Sequence, residues 1–517
     1  MANENPSDAP VEWARGVPAP LGMNLRVSRA VEAFLGVPLD ALLRDHASRP
    51  AEDTALAVFR EAAATVPAYR EFLKERGVDP ARVETPADFR ALPLVTKDEY
   101  VRAYSLAQRC KGGRLDGCEA LALSSGSTGE PTVWPRGAVE ELAVTARFEQ
   151  VFRAFDAARL RTLAVVAFPL GTWVGGIYTT ACCRWLAAKG YPLTVISPGN
   201  VPAEVLRTVS TLGPLFEQVV LLGYPPFVKG LIDLGLAQGI DWAKHKPKLV
   251  LAGEVITEEW RALVASRAGI ERPTHDIASL YGTADAGVLG NETPLSVAIR
   301  RLASRDPEAA RALFGQARLP TLVQYDPHLR FLEATPEGTL LFTCDGPAPL
   351  VRYHISDHGG VVPYDAMLDA LARLGLDPFT EIPRDDPTLT RLPFAYVFGR
   401  SHNAVSFYGA NVFPEMVTVG LEQPGIAEGV TGKFVMTVHE DADRDAHFTV
   451  VVELAAGVKG SAAFEASIAE SIGAHVARLS SEYGHYVPAD RRVPRVELRP
   501  QGHAEYFPVG VKHRWRR

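Results

Sequence analysis

Glycines and hydroxyl side chains dominate one short stretch of the chain, residues 121–132, with the sequence Leu-Ala-Leu-Ser-Ser-Gly-Ser-Thr-Gly-Glu-Pro-Thr. Gly126 and Gly129 permit backbone conformations closed to other residues, so successive N–H groups can point into one concavity. Hydroxyl donors are added by Ser124, Ser125, Ser127 and Thr128. The stretch therefore predicts a phosphate-binding loop. Its spacing is not the G-x-x-x-x-G-K-[ST] pattern of P-loop enzymes, so an ordinary Gly/Ser turn is the alternative on these residues alone.

Strand-like and helix-like segments alternate after this loop, which is typical of layered α/β sheets. The predicted strands are 162–168, 193–196, 218–222 and 248–252, and further strands are predicted within 338–343 and 349–360. Open α/β sheets bind ligands at the carboxyl ends of their strands. Polar or aromatic loops are expected at such ends over 171–176, 223–227, 252–260 and 280–287, and Asp357 is the notable carboxylate of the 349–360 segment.

Domain organisation follows from length and pattern. A chain of 517 residues is too long for one hydrophobic core and is expected to divide into domains. We predict a partly ordered leader over 1–50 with a short helix near Val27–Leu35, and a large N-terminal domain over 51–399. An Ala- and Arg-rich helical insertion is expected at about 292–320. A smaller, mobile α+β domain is predicted over 400–517, containing a hairpin, a helix over 463–479 and a final strand.

Composition narrows the classes of partner. The formal net charge of −7, with scattered Lys and Arg, does not favour a nucleic-acid-binding stripe, so small-molecule partners are expected. The N-terminus has neither the basic start nor the apolar core of a signal peptide, and no run of about 20 apolar residues predicts a membrane span. A cytoplasmic protein is expected. The five cysteines form no C-x-x-C pair and predict neither a disulfide framework nor a zinc site.

The motifs, taken together and in order, resemble the adenylate-forming superfamily, and within it the phenylacetate–coenzyme A ligase branch. The similarity runs from about Val58 to the C-terminal region. It is carried by Val66-Pro-Ala-Tyr-Arg70, Leu92-Pro-Leu-Val-Thr-Lys97, Ser124-Ser-Gly-Ser-Thr-Gly129, Gly253-Glu254 with Thr257-Glu-Glu259, Tyr281-Gly282, Leu350-Val-Arg-Tyr353 with Asp357, Gly399-Arg-Ser401 and Gly409-Ala-Asn-Val-Phe-Pro414.

The resemblance implies a two-domain enzyme that binds ATP and Mg²⁺ and lets an oxyanion, usually a carboxylate, attack the α-phosphate. The loop at 124–129 would then hold the leaving pyrophosphate, which backbone N–H groups, hydroxyls and a hard cation are suited to stabilise. Tyr281 and Gly282 would lie near the adenine and α-phosphate. Asp357 would accept hydrogen bonds from the ribose hydroxyls, and Arg400 would lie at the domain junction near the nucleotide.

The same resemblance assigns the acyl pocket and the metal. Its pocket residues would be Phe168, Trp173, Tyr224, Gly253 and Glu254. The aromatic rings of the first three suit a flat substrate ring. The metal-side carboxylate would be Asp285. There the chain has Ala284-Asp285 where the family has Thr-Glu, so the carboxylate is one methylene shorter and a hydroxyl is missing.

Four more departures concern the phosphate loop and the C-terminal domain. Glu130 stands where the family usually has Lys, His402 where the domains usually pivot on Asp, and Tyr408 where Arg or Lys is common. The C-terminal family pattern Gly-Lys-x-x-Arg appears as Gly-Val-Lys-His-Arg over 510–514, which moves the lysine by one place. Lys512 is nevertheless the predicted catalytic lysine.

We therefore predict an ATP-dependent ligase that adenylates an aromatic acid and passes the acyl group to coenzyme A. His402 and Tyr408 stand at positions that the family uses in the second half-reaction. An acceptor other than coenzyme A is therefore an alternative. The alternatives are an amine, a carrier-protein thiol or no acceptor beyond a reactive adenylate. Another is nitrite activation with diazotisation of an aromatic amine, as in some relatives from antibiotic pathways. A catalytically inactive relative that binds a nucleotide or an aromatic ligand as a sensor is the third alternative.

Overall fold

The computed structural model describes residues 25–123, 132–172, 174–400, 404–407, 410–440, 446–480, 483–484, 487, 489–508 and 513–516. The helices are α1 Leu25–Gly36, α2 Leu39–Ala47, α3 Ala51–Thr65, α4 Pro67–Glu75, α5 Pro86–Arg90, α6 Leu106–Arg109, α7 Ala138–Ala154, α8 Val174–Ala188, α9 Pro202–Leu212, α10 Pro225–Ala237, α11 Glu258–Ala268, α12 Pro273–Asp276, α13 Pro294–Ser304, α14 Pro307–Phe314, α15 Tyr364–Arg373, α16 Pro414–Leu421 and α17 Ala462–Leu479. None of the described helices is long and apolar enough to cross a membrane.

The strands build one large sheet and three small ones. They are β1 Ala120–Leu123, β2 Val133–Arg136, β3 Thr162–Val166, β4 Leu193–Ile196, β5 Gln218–Gly223, β6 Lys248–Ala252, β7 Ile277–Thr283, β8 Gly287–Asn291, β9 Thr321–Gln324, β10 Phe331–Ala334, β11 Thr339–Cys344, β12 Leu350–Val362, β13 Phe394–Arg400, β14 Val405–Phe407, β15 Ala410–Val412, β16 Val430–Glu440, β17 Ala446–Leu454 and β18 Arg495–Arg499. The main sheet has eleven strands in the order β10-β11-β12-β13-β9-β8-β7-β6-β5-β3-β4.

The main sheet changes character at β7. Strands β4, β3, β5, β6 and β7 are parallel, whereas each pair from β7 to β10 is antiparallel. The parallel strands β3 and β5 are buried along their whole length, which explains their nearly continuous apolar sequences. The predicted α/β class and the positions of these strands are confirmed, except that β3 ends at Val166 and not at residue 168. The loop predicted over 171–176 is shorter than expected, because α8 already begins at Val174.

Separate apolar cores lie on the two faces of the parallel half. One contains Val205 and Trp242 beneath α9 to α11, and the other contains Phe152 and Leu186 from α7 and α8. Residues 25–47, within the predicted leader, form α1 and α2, and Leu39 and Leu43 are buried against Ala146 and Leu392. This part of the chain is packed on the main body.

The C-terminal elements have a hydrophobic core of their own, with members between Val405 and Trp515. Strand β16 pairs antiparallel with β17, and β18 adds to β17 in parallel. Helix α17 covers this sheet and contributes Ile468, Ile472 and Val476 to the core. The observed elements match the hairpin, helix and strand that the sequence predicts for the smaller domain, while the boundary and the mobility of that domain stay predictions.

A buried ionic cluster joins the parallel and antiparallel halves. The Glu292 carboxylate, directly after β8, lies 2.9 Å from Nη2 of Arg261 in α11 and 2.7 Å from Nη1 of Arg300 in α13. It also accepts the Ser279 N–H of β7 at 2.8 Å. Burial raises the pKa of Glu292, but the two guanidiniums outweigh that effect and hold it below its usual value. All three side chains are fully buried, so each charge depends on the others.

We expect Glu292→Ala to destabilise the fold by about 3–5 kcal/mol, because it leaves two buried guanidiniums, Arg261 and Arg300, with Glu258 as the one carboxylate that the described residues offer to both. Urea unfolding followed by far-UV circular dichroism measures the change. The matched control is Glu308→Ala, whose exposed side chain pairs only with Arg311 among the described residues; its effect is expected to stay within about 0.5 kcal/mol. Equal losses in the two variants would contradict the central role of the cluster.

Candidate active site

Predicted pocket residues meet at the carboxyl edge of the parallel strands. Phe168 follows β3, Tyr224 follows β5, and Gly253 and Glu254 follow β6. The Phe168 and Tyr224 rings lie 5.2 Å apart, edge to face. Strand β3 lies between β4 and β5, so the connections after β3 and β5 leave the sheet edge in opposite directions, which is where such sheets form a crevice.

The rings of Phe168 and Tyr224 form an aromatic wall at this edge of the sheet. Gly253 determines how closely the backbone packs against the Tyr224 ring of this wall. Its φ of +87° lies in the left-handed region, and a Cβ on it would stand 2.7 Å from Cε1 of Tyr224. A larger residue would therefore be strained and would displace the ring. Burial, with a smaller contribution from the Glu254 charge, raises the pKa of Tyr224 to about 12. The Tyr224 phenol is thus neutral at physiological pH and keeps its hydrogen-bond donor.

Tyr281 and Asp357 form a buried pair beside this wall. The Tyr281 hydroxyl donates to Oδ2 of Asp357 at 2.8 Å, and both residues are less than a tenth exposed. Tyr281 is in β7, the parallel neighbour of β6, and Ala252 pairs with Leu280. Gly253 and Tyr281 therefore stand side by side at one edge of the sheet. Gly282 allows the β7–β8 hairpin to close, since a Cβ on it would lie 2.8 Å from the Gly287 carbonyl oxygen.

Irregularities in β12 position Asp357. The pairs Leu341 with His354 and Thr339 with His358 show that β12 has extra residues there relative to β11. Ser356, inside this bulge, has a φ of +62°. Bulges re-aim side chains, and left-handed conformations of residues other than Gly cluster at functional sites. No sequence signal marks Ser356 for this conformation, so sequence analysis missed it.

Asp285 faces a tyrosine that sequence analysis had given no role. The Tyr353 hydroxyl donates to Oδ2 of Asp285 at 2.7 Å, and Asp285 is 6% exposed. Over the ranges that the structure describes, no group of three or more His, Cys, Asp or Glu side chains could hold a metal ion. The role of Asp285 in binding Mg²⁺ stays a prediction. Tyr353 belongs to the Leu-Val-Arg-Tyr motif, which was the available signal.

Several predicted residues lie outside the described part of the chain, and their roles also stay predictions. Asp357 pairs with Arg400 across β12 and β13, but only the backbone of Arg400 is described. The remaining ones are Ser124, Ser125, Gly126, Ser127, Thr128, Gly129, Trp173 and Lys512, together with the departures Glu130, His402 and Tyr408.

Polar contacts join the main body to the C-terminal elements. The Lys229 ammonium of α10 donates to the carbonyls of Ala427 at 3.0 Å and Val430 at 2.8 Å. The Thr257 hydroxyl, which caps α11 by accepting the Trp260 N–H, donates to Glu422 at the end of α16. These contacts hold the second body beside the loop that follows β6.

Arg318 makes a further contact at the junction with the C-terminal elements. Its guanidinium lies 4.4 Å from the ring centre of Phe398 and 3.9 Å from that of Phe413. It also lies 3.2 Å from Glu415 at the start of α16. Because Phe398 belongs to β13 and Phe413 precedes α16, one buried cation bridges the chain on both sides of residues 401–403.

Glu422 is a buried carboxyl group in this interface, and its pKa is raised. Its Oε1 is buried and finds no hydrogen-bond partner among the described residues. Burial, reinforced by Glu259 and Glu258, raises the pKa of Glu422 to about 8, although the Thr257 hydroxyl and Lys229 act in the opposite direction. The carboxyl group is therefore largely protonated at neutral pH while the two bodies are in contact.

The chain is similar to known proteins in sequence and in fold. The chain is 24% identical to a phenylacetate-coenzyme A ligase of Aromatoleum evansii over 404 residues, which are 76% of this chain and 79% of the relative. No family model matches the chain.

Solved structures share the fold over most of the chain. A 2-hydroxyisobutyryl-CoA ligase in the postadenylation state with R3-HIB-AMP has a TM-score of 0.61 at 15% identity, covering 87% of this chain and 85% of that one. Its complex with 2-HIB-AMP also has a TM-score of 0.61 at 15% identity, covering 90% and 87%. The predicted fold of an adenylate-forming enzyme is thereby confirmed.

We expect the contact between the two bodies to weaken as pH rises. The pKa of Glu422 is about 8 when the two bodies are in contact, whereas a glutamate in water has a pKa near 4.3. The protonated carboxyl therefore stabilises the contact fully below about pH 4.3, and this contribution is lost as the pH rises through 8. Hydrogen-exchange protection factors of α11 and α16, corrected for intrinsic rates, are therefore expected to fall between pH 6 and pH 9.

Glu422→Gln provides the decisive comparison, since an amide of similar shape does not titrate. Its protection factors are expected to be the same at both pH values. The control is Glu428→Gln at an exposed site of the same interface, which should retain the pH dependence of the unmodified protein. A pH dependence that survives in Glu422→Gln would contradict the assignment.

Proposed function

We propose that this chain, a member of the adenylate-forming superfamily of ligases, adenylates an aromatic carboxylic acid with ATP, releases pyrophosphate and transfers the acyl group to coenzyme A. One observation supports this most directly. Gly253 and Tyr281 lie side by side at the ends of neighbouring parallel strands, which puts the aromatic wall next to the Tyr281–Asp357 pair. An acid on that wall and a nucleotide on that pair would meet at the same edge of the sheet.

The nucleotide half of the proposal uses the buried tyrosine–aspartate pair. Tyr281 orients the Asp357 carboxylate, which would accept hydrogen bonds from the ribose hydroxyls. The loop at 124–129 would hold the pyrophosphate, and Arg400 and Lys512 would approach the α-phosphate. An oxygen of the acid attacks the α-phosphorus and the bond to pyrophosphate breaks, so the residues must stabilise negative charge that spreads onto the phosphates.

Mg²⁺ would partly neutralise that charge. The residues present fit it in a restricted way, since Asp285 offers a carboxylate of the right chemistry but also accepts the Tyr353 hydroxyl. Mg²⁺ at nucleotide sites commonly keeps several waters and binds one or two carboxylates together with the phosphates. Asp285 would then be the carboxylate that helps to hold the ion, while the substrate would supply most of its other ligands.

The aromatic half of the proposal uses the wall at the strand ends. Phe168 and Tyr224 present an edge-to-face pair, the arrangement that aromatic rings favour, and a flat substrate ring would extend it. The neutral Tyr224 phenol and the Glu254 carboxylate would add polar contacts to ring substituents. The similarity to a phenylacetate-coenzyme A ligase supports the same class of acid.

The second half-reaction requires the C-terminal body to move. We propose a mobile domain over 400–517 that follows the large domain over 51–399. Its separate core and its small set of polar contacts with the main body support this division. Hinge motions are concentrated at a few junction residues, and Arg318, which bridges the chain around 401–403, would restrain the movement.

Pyrophosphate release tests the function. The protein is incubated with ATP, Mg²⁺ and a pool of aromatic and amino-aromatic acids, with and without coenzyme A and with and without nitrite. We expect release that requires an acid and increases with coenzyme A. Release that depends on nitrite would replace the proposal with diazotisation. ATP binding by calorimetry without release in any mixture would favour a nucleotide-binding sensor.

Two variants separate binding from chemistry. Asp357→Ala is expected to weaken ATP binding roughly ten- to a hundredfold, because hydrogen bonds to a charged group contribute about 1.5–3 kcal/mol. Lys512→Ala is expected to slow adenylate formation tenfold or more with little change in ATP affinity. Isothermal calorimetry and single-turnover pyrophosphate release measure the two effects.

Asp365→Ala is the control for these variants, since its exposed carboxylate on α15 pairs with Arg391 at the surface. It should leave both measurements unchanged. Unaltered pyrophosphate release in Lys512→Ala would refute the lysine assignment, and unaltered ATP affinity in Asp357→Ala would refute the ribose contact.

A further inference from the structure

We propose that Glu140 is a positioning residue, which sets the conformation of the loop between β7 and β8 through Arg136 and Arg330. The functional consequence rests on the proposed function, since this loop would then lie at the phosphates of ATP. Its structural part concerns only contacts among described residues and can be tested without any substrate.

The three side chains form a buried cluster. Glu140 Oε1 lies 2.6 Å from Nη1 of Arg136 and 3.6 Å from Nη2 of Arg330. The side chains of Arg136, Glu140 and Arg330 are 5%, 3% and 4% exposed. Since two arginines and one glutamate leave one positive charge in excess, removal of the carboxylate would leave two buried guanidiniums repelling each other.

Both guanidiniums reach the backbone of the loop. Arg136 Nη2 donates to the Ala284 carbonyl, and Arg330 donates to the Ala286 carbonyl from Nε and Nη2, each at 3.2 Å. These two residues flank Asp285. A carbonyl and the next N–H point in opposite directions in a trans peptide, so fixing both carbonyls also fixes the direction of the following N–H groups.

Arg136 also connects the loop with the hairpin that carries the predicted phosphate-binding stretch. It is the last residue of β2, and its carbonyl accepts the Glu119 N–H at 2.9 Å. Strand β1, paired with β2, leads directly into residues 124–131. Glu119 in turn caps α7 by accepting the Ala138 N–H at 3.0 Å. One cluster thus ties together the β1–β2 hairpin, the start of α7 and the loop around Asp285.

Glu140 is the carboxylate that Arg136 and Arg330 share. Burial raises the pKa of Glu140, and Arg136 and Arg330 act against that rise. Burial lowers the pKa of Arg136, but Glu140, together with smaller contributions from neighbours that include Asp285, raises it above the usual value, so Arg136 stays charged. Glu140 itself contacts neither Ala284 nor Ala286 in these hydrogen bonds and acts on the loop through the two arginines.

The test compares Glu140→Gln with Glu141→Gln, a neighbouring glutamate on the same helix that instead accepts the Trp185 indole N–H. Hydrogen exchange of residues 283–287 is measured by mass spectrometry, together with thermal unfolding. We expect faster exchange, by fivefold or more, in Glu140→Gln and no change in Glu141→Gln. Unchanged exchange of 283–287 in Glu140→Gln would overturn the proposal, and so would a uniform increase over α7 and the main sheet.

Kinetics then test the functional part. We expect Glu140→Gln to lower the rate of pyrophosphate release tenfold or more while the KM for the acid stays within about twofold. Glu140→Asp, which keeps the charge, is expected to recover part of that rate. A full rate in Glu140→Gln would overturn the functional part. If the unmodified protein releases no pyrophosphate, the proposed function fails, and the exchange measurement still decides the positioning role.

Discussion

The architecture depends on the buried carboxylate of Glu292. The main sheet changes from parallel to antiparallel pairing between β7 and β8, and Glu292 lies where this change occurs. It accepts the Ser279 N–H of β7 and holds Arg261 and Arg300 from the two helices packed there. Those arginines in turn donate to the carbonyls of Ile277 and Ile256, each at 2.6 Å. The start of β7 and the loop after β6 are therefore fixed together, which keeps Gly253 beside Tyr281.

A second cluster of the same kind supports the loop between β7 and β8. Arg136 and Arg330, both paired with Glu140, hold the carbonyls of Ala284 and Ala286, just as Arg261 and Arg300 hold those of Ile277 and Ile256. Buried guanidiniums need several acceptors, and backbone carbonyls in loops need donors. Hydrogen bonds from buried guanidiniums to loop carbonyls therefore make irregular loops rigid. A rigid loop can stabilise charge that develops in a reaction without first reorganising itself.

The contact with the C-terminal body is built differently. It relies on the Lys229 ammonium, one hydroxyl–carboxyl contact and the Arg318 bridge, and it leaves Glu422 Oε1 without a described partner. Because this buried carboxyl titrates, the stability of the interface is expected to depend on pH. This suits a body that must change its position between two half-reactions, as proposed.

The sequence alone determined most of the elements and supplied the predicted site residues. Apolar periodicity predicted β3 to β6 and α17. The family resemblance assigned Phe168, Tyr224, Gly253, Tyr281 and Asp357 to the candidate site. These features depend on neighbours along the chain. Only the tertiary structure decided what depends on distant segments: the left-handed Ser356 beside Asp357, the hydrogen bond from Tyr353 to Asp285, and the Arg136–Glu140–Arg330 support. A buried charge is tolerable only once its partners arrive from elsewhere in the fold, so no local pattern could identify those pairs.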